Sequence, residues 1–170
     1  MDIKRLIIGT VVGAITLYIL GYVIWELAFA DFFAANRGSA TGVGRDTQVI
    51  WALVLGTLSY AVLLTLAIGT RAGSATIVDG LKIGAIVGFL MWFSVDFIHY
   101  GIGNVSNLTA TIADSLLELV RAGISGGVIA AVLGKIAGVQ EDPQTGAQEG
   151  PQTDTQEDPQ TDTQEDPQTE

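Results

Sequence analysis

Four stretches of about twenty mainly apolar residues constrain this chain more than any other feature. A helix rising 1.5 Å per residue needs about that many to cross the ~30 Å hydrocarbon core of a bilayer, where unpaired backbone groups are too costly to leave. The first stretch runs from Leu6 to about Leu27 and is uncharged until Glu26, and the second, Val49 to Ile68, has no charge at all. The third, about Gly80 to Tyr100, carries Lys82 near one end and Asp96 and His99 near the other. The fourth, about Thr111 to Ile136, begins polar around Asp114, Glu118 and Arg121 and then becomes apolar and small. The expected fold class is therefore all-α, a four-transmembrane-helix bundle spanning residues 1–138, with spans near 6–27, 49–68, 80–100 and 111–136.

Composition enters where the bundle stops. The whole chain has 170 residues, a formal charge of −10 and 49% hydrophobic residues, but the last thirty residues hold ten acids, all four prolines and one hydrophobic residue, Ala147. The first 140 residues balance eight acids against eight bases, and about 59% of them are apolar, above the ~45–50% of a soluble domain. Residues 139–170 read as a disordered acidic tail built on an octapeptide: Glu157-Asp-Pro-Gln-Thr-Asp-Thr-Gln164 restarts at Glu165, with weaker copies from Glu141 and Glu149. Almost nothing there can be buried, and like charges repel. A chain without cysteine has no disulfide frame, and a neutral body offers nucleic acid no basic surface.

Lys4 and Arg5 ahead of an apolar run imitate a signal peptide, but that run exceeds the usual 7–15 residues and Trp25 and Glu26 crowd the small-residue site at Ala28-Phe29-Ala30, so a retained span is expected. Basic residues orient the bundle. With both termini inside, the inner ends hold Lys4, Arg5, Arg71, Lys82 and Lys135, against Arg37, Arg45 and Arg121 outside, which favours this orientation in a bacterial or archaeal cytoplasmic membrane. Trp25 and Trp51 then fall at the outer interface.

Small residues recur at four-residue spacing on every span. Gly9 and Gly13 lie on the first, Thr57, Ala61, Thr65 and Gly69 on the second, Gly80, Gly84 and Gly88 on the third, and Gly123, Gly127 and Ala131 beside Gly126, Ala130 and Gly134 on the fourth. Lipid gives helices no hydrophobic reason to associate, so such rows supply close packing, either inside one bundle or against a homo-oligomeric or other membrane-protein partner. With no proline in the body, straight helices are expected.

The charged groups are the only chemistry available. Glu26, Asp96, His99, Asp114, Glu118 and Arg121 are expected to gather in the outer third of the bundle as one polar cluster. Glu118 and Arg121 are spaced i, i+3 and pair on one face, and Asp96 and His99 offer a second pair. The simplest reading is a structural network. The functional one is an ion or proton site, with His99 titrating near neutrality, although nothing ionisable except Lys82 is expected at the midplane or below it. Asp-x-x-His would also present two metal ligands, but carboxylate-bridged di-iron bundles use two Glu-x-x-His motifs and this chain has one histidine, so no metal and no cofactor is expected. No serine-histidine-acid triad, phosphate loop or cysteine pair is present; no catalytic residue is assigned, and the reading leans away from an enzyme.

In the outer loops, Asn104-Val-Ser106 and Asn107-Leu-Thr109 match the glycosylation acceptor pattern, and Thr111 with Asp114 forms a Thr-x-x-Asp cap for the fourth helix. Asp96-Phe97-x-x-Tyr100, Asn107-Leu-Thr-Ala-Thr with Asp114, Gly126-Gly127-x-x-Ala130 and Gly134-Lys135 resemble small uncharacterised four-helix bacterial membrane proteins over residues 6–136. That resemblance implies a fold and a membrane location and carries no activity. The expected function is a small interaction or accessory subunit packing through glycine-lined faces, in contact with the lipid bilayer and not with nucleic acid; the alternative is an ion, proton or small-solute carrier using the outer polar cluster.

Overall fold

The computed structural model describes residues 1–70 and 76–140, the side chains of 137–140 apart. Arg71 and the tail beyond Gln140 lie outside the described residues. Most of the described chain is helical: α1 covers Ile3–Gly21 and continues as a π-helical segment over Tyr22–Ala28, α2 is a short helix at Ala30–Ala35, α3 covers Ile50–Gly69, α4 Ile77–Ile102 and α5 Leu108–Gln140. Four of these, α1 with its π-helical extension, α3, α4 and α5, are long and apolar enough to cross a membrane. The short α2 and the widened end of α1 depart from the four straight helices expected, and proline is not the cause, since the body has none.

Helix starts follow local chemistry. Asp2 caps α1 by accepting from the Lys4 amide at 3.4 Å. Helix α4 begins three residues before Gly80, because Thr76 and Asp79 form a reciprocal capping box. Helix α5 begins at Leu108, with Asn107 as its cap: Asn107 Oδ1 accepts from the Ala110 amide at 2.9 Å. This corrects the cap expected from Thr111 and Asp114. Thr111 Oγ1 instead donates to the Asn107 carbonyl at 3.0 Å inside the first turn, while Asp114 is drawn towards Trp25.

Helix α5, which carries Asp114, Glu118 and Arg121, is the central one. Of its apolar window 56% is buried inside the protein, against 17–28% for the others. It packs along α4 on one side and against α1 and α3 on the other, around a core of Leu17, Leu64, Ile68, Ile129 and Leu133. The helices meet in layers. A Cβ added to Gly9 would strike Thr65 and approach Leu133, and one on Gly13 would press on Ile129 at 2.7 Å and Ala61 at 3.5 Å. Between α4 and α5 the backbones themselves touch: a Cβ on Gly80 would collide with the Gly126 carbonyl, and one on Gly84 with the Ala122 carbonyl. Gly123 faces Ala85, Gly127 faces Leu81, and Gly134 is half-buried.

At the end of the bundle away from the N-terminus, the two loops are tied together. Arg37 and Ser106 form an isolated antiparallel bridge, the Gly38 amide donates to the Val105 carbonyl at 2.9 Å, and Asn107 Nδ2 donates to Asn36 Oδ1 at 3.0 Å. We call this the loop end. Both acceptor-pattern asparagines are part of it: Asn107 through its amide and cap, Asn104 through the bond its side chain donates to Ser39.

Gly84→Ala and Gly126→Ala should therefore lower the melting temperature of the detergent-solubilised protein, by the equivalent of about 1–3 kcal/mol for overpacking. Gly56→Ala, where nothing lies within 4 Å of the added carbon, should not lower it. Thermal unfolding followed by circular dichroism ranks the three.

Candidate functional site

The polar residues of α5 converge between the helices. Glu118 is fully buried, and its Oε2 accepts from Arg121 Nη1 at 2.8 Å. Arg121 spans the bundle: its Nε donates to the Leu17 carbonyl of α1 at 3.0 Å, and its guanidinium carbon lies 5.1 Å from the Trp25 ring centre and 6.0 Å from that of Tyr60 on α3. Gly21 lies beside the crossing, where a Cβ would be in ordinary van der Waals contact with the guanidinium at 3.4 Å. Both rings present their faces to the cation, an arrangement worth about 0.5–2 kcal/mol each depending on desolvation.

Towards the loop end the network continues. Trp25 donates its indole N–H to Asp114, and Ser115 Oγ donates to Asp96 Oδ2 on α4 at 3.0 Å. Tyr60 stacks on Trp92 of α4, with ring centres 5.4 Å apart. Oε1 of the fully buried Glu118 and the hydroxyl of the nearly buried Tyr60 are turned to one another, and neither has another hydrogen-bond partner among the described residues. Gly88 leaves room for that hydroxyl: a Cβ there would sit 2.8 Å from it. Two more buried hydroxyls without partners, on Thr65 and Thr10, lie nearer the N-terminal end.

Of the six residues expected to cluster, Asp96, Asp114, Glu118 and Arg121 come together, while Glu26 and His99 are exposed at the margin. Among the described residues Asp96 is hydrogen-bonded to Ser115 and has no ion pair with His99, which corrects the expected Asp96–His99 pair. The expected level also needs correction. Arg121 reaches Leu17 and Tyr60, near the middles of α1 and α3, so the ion pair lies halfway along the helices and not in one outer third. No group of three or more His, Cys, Asp or Glu side chains among the described residues is placed to hold a metal ion.

Sequence reasoning missed Trp25, Tyr60, Ser115 and Gly21. A signal for two of them was present: Gly9, Gly13, Leu17, Gly21 and Trp25 follow one another at four-residue spacing, so Trp25 continues the inward row of α1. The π-helical turn reinforces this, because its i→i+5 bonding rotates each residue through a smaller angle and keeps Trp25 on the side of Gly21.

Beside this centre a cleft of about 270 Å³ opens between α1 and α3, with Arg121 at its floor and Glu26 and Gln48 at its rim. No family model matches the chain, and neither a curated protein nor a solved structure is significantly similar to it.

The ion pair predicts a strong non-additivity. Removing one partner of a buried pair strands the other charge at a cost of about 3–5 kcal/mol, whereas replacing both with apolar groups of similar volume is far milder. Arg121→Met should unfold the protein at a much lower denaturant concentration, and Glu118→Met with Arg121→Met should recover most of the loss. Equal instability of the single and double variants would show that the pair is not coupled.

Proposed function

We propose that this is an integral membrane protein that conducts protons through its interior polar centre, with both termini on the cytoplasmic side of a bacterial or archaeal membrane. The observation that carries the reading is Glu118, fully buried halfway along the helices, with one carboxylate oxygen turned to the buried Tyr60 hydroxyl and to no other partner among the described residues. Intramembrane carboxylates are expensive, and in pumps and carriers they mark ion and proton routes. Among the described residues Asp114 and Glu118 also share one interior cation, Arg121, so the two ionised carboxylates carry surplus negative charge that a proton would balance.

The route runs from the loop end inward. Asp96 and Asp114, each half-buried, take a proton from the outer surface, and Glu118 receives it one turn further along α5. The Tyr60 hydroxyl comes next, then those of Thr65 and Thr10. Thr65 lies five residues beyond Tyr60, about 7.5 Å along the helix axis, a gap that one or two water molecules would bridge. His99, exposed and unbonded to the network, is left out.

The accessory-subunit reading loses its main support, because Gly9, Gly13, Gly80, Gly84, Gly88, Gly123 and Gly127 meet this chain's own helices and offer no glycine-lined face to a partner.

Reconstituted into liposomes with an imposed pH difference, the protein should dissipate it faster than empty vesicles do. Glu118→Gln should reduce the rate at least tenfold, Tyr60→Phe should reduce it less, and His99→Ala should leave it unchanged. A rate equal to that of empty vesicles, or full conduction by Glu118→Gln, would remove the proposal.

A further inference from the structure

The cleft between α1 and α3 joins the surface of the loop end to Arg121. At its rim stand Glu26, near the end of the π-helical segment, and Gln48, just ahead of α3, both exposed. Leu17, Thr57 and Arg121 line the same hollow halfway along the helices. From Glu26 to Leu17 the cleft follows nine residues of α1, about 14 Å at 1.5 Å per residue. A small solute dissolved in the water at the loop end can therefore reach the guanidinium.

Arg121 has one group open to such a solute. Its Nε donates to the Leu17 carbonyl, its Nη1 donates to Glu118, and the Trp25 and Tyr60 rings stand over the guanidinium. Nη2 has no hydrogen bond among the described residues, and it lies beside Gly21, itself part of the cleft lining: a Cβ on Gly21 would be 3.5 Å from it. Open guanidinium N–H groups suit a carboxylate. Leu17 and Leu53 offer apolar surface for a short alkyl group, and the volume of about 270 Å³ lies at the low end of small-molecule sites.

The charges around Arg121 decide when an anion is held. Glu118 and Asp114 face it from α5 and Tyr60 from α3; Asp96 on α4 lies within electrostatic reach of Asp114, while Tyr18, Tyr22 and Glu26 line the cleft on α1. With Glu118 ionised, Arg121 has its counterion and a further anion is repelled. A proton on Glu118 removes that counterion and leaves a guanidinium unpaired inside the bundle, which is strongly unfavourable. An anion entering the cleft restores the pairing. Glu26 opposes it only weakly, because salt screens an exposed charge.

We propose that the cleft binds one small monocarboxylate on Arg121, together with a proton on the interior carboxylates. The proposal rests on the reading of Glu118 as a proton carrier: while Glu118 holds the proton, the bound carboxylate takes its place as counterion. Uptake of the proton and of the carboxylate are then linked, each favouring the other by the same factor.

Equilibrium dialysis of the full chain in detergent against radiolabelled acetate tests this at about pH 8 and about pH 6, where acetate is ionised throughout. One equivalent should bind roughly fivefold or more tightly at the lower pH, as expected for coupled sites, and chloride at the same concentration should not displace it. Glu118→Gln, which holds that side chain neutral, should bind at the higher pH as tightly as the unmodified protein does at the lower. Leu53→Trp, at a lining position 43% exposed, should fill the cleft and abolish binding. Glu118→Met with Arg121→Met, which removes the cation, should abolish it too and serves as the blank for acetate taken up by detergent. If Glu118→Gln does not fold, the pH dependence of the unmodified protein and the Leu53→Trp result decide. Binding that is absent, that does not strengthen as the pH falls, that chloride displaces, or that survives in the folded Leu53→Trp or double variant would overturn the proposal. So would a folded Glu118→Gln protein that binds no more tightly than the unmodified one at the higher pH. The readout needs no flux: pH-dependent binding by a protein that leaves a pH difference across liposomes standing would support this site and remove proton conduction.

Discussion

A charged pair placed halfway along apolar helices sets the terms for the rest of this protein. Glu118 and Arg121 are compatible with such surroundings only if most of their hydrogen-bonding capacity is met from within. Arg121 meets that demand by reaching in three directions: to its own helix at Glu118, to the backbone of α1 at Leu17, and to the ring faces of Trp25 and Tyr60. The neighbouring features follow from this. Gly88 must be small for Tyr60 to reach inward, and the widened end of α1 keeps Trp25 turned towards Asp114.

The glycines of α4 and α5 solve a related problem. With no water to expel between helices, attraction depends on close contact, and at Gly80, Gly84 and Gly126 the two backbones approach until a single methyl group has no place. That approach fixes α4 against α5 and brings Asp96 within bonding distance of Ser115. Packing and polar site are thus one construction. The same construction leaves a cleft between α1 and α3 whose lining includes Arg121.

Much of the fold was legible in the sequence, because hydropathy over twenty residues is a strong signal and the bilayer thickness sets its length. The site was half legible. Helical spacing put Asp114, Glu118 and Arg121 on one stripe and paired the last two correctly. It could not say that His99 and Glu26 would turn outward, since each is on the last turns of its helix, where a small change in rotation moves a side chain from interior to surface. The Thr-x-x-Asp pattern shows the same limit. It caps a helix at Thr76 and Asp79, but the identical spacing at Thr111 and Asp114 lies inside α5, because Asn107 upstream already satisfies the free amide.

The sequence by itself determined four apolar helices, a neutral body and the spacing of its charges, because these depend only on residue type and on the period of a helix. Tertiary structure decided which charges meet and how deep they lie. Depth and partnership depend on how each helix is rotated and shifted against the next, and those are set by contacts such as Gly84 on Ala122 and Arg121 on Leu17, between residues far apart in the chain.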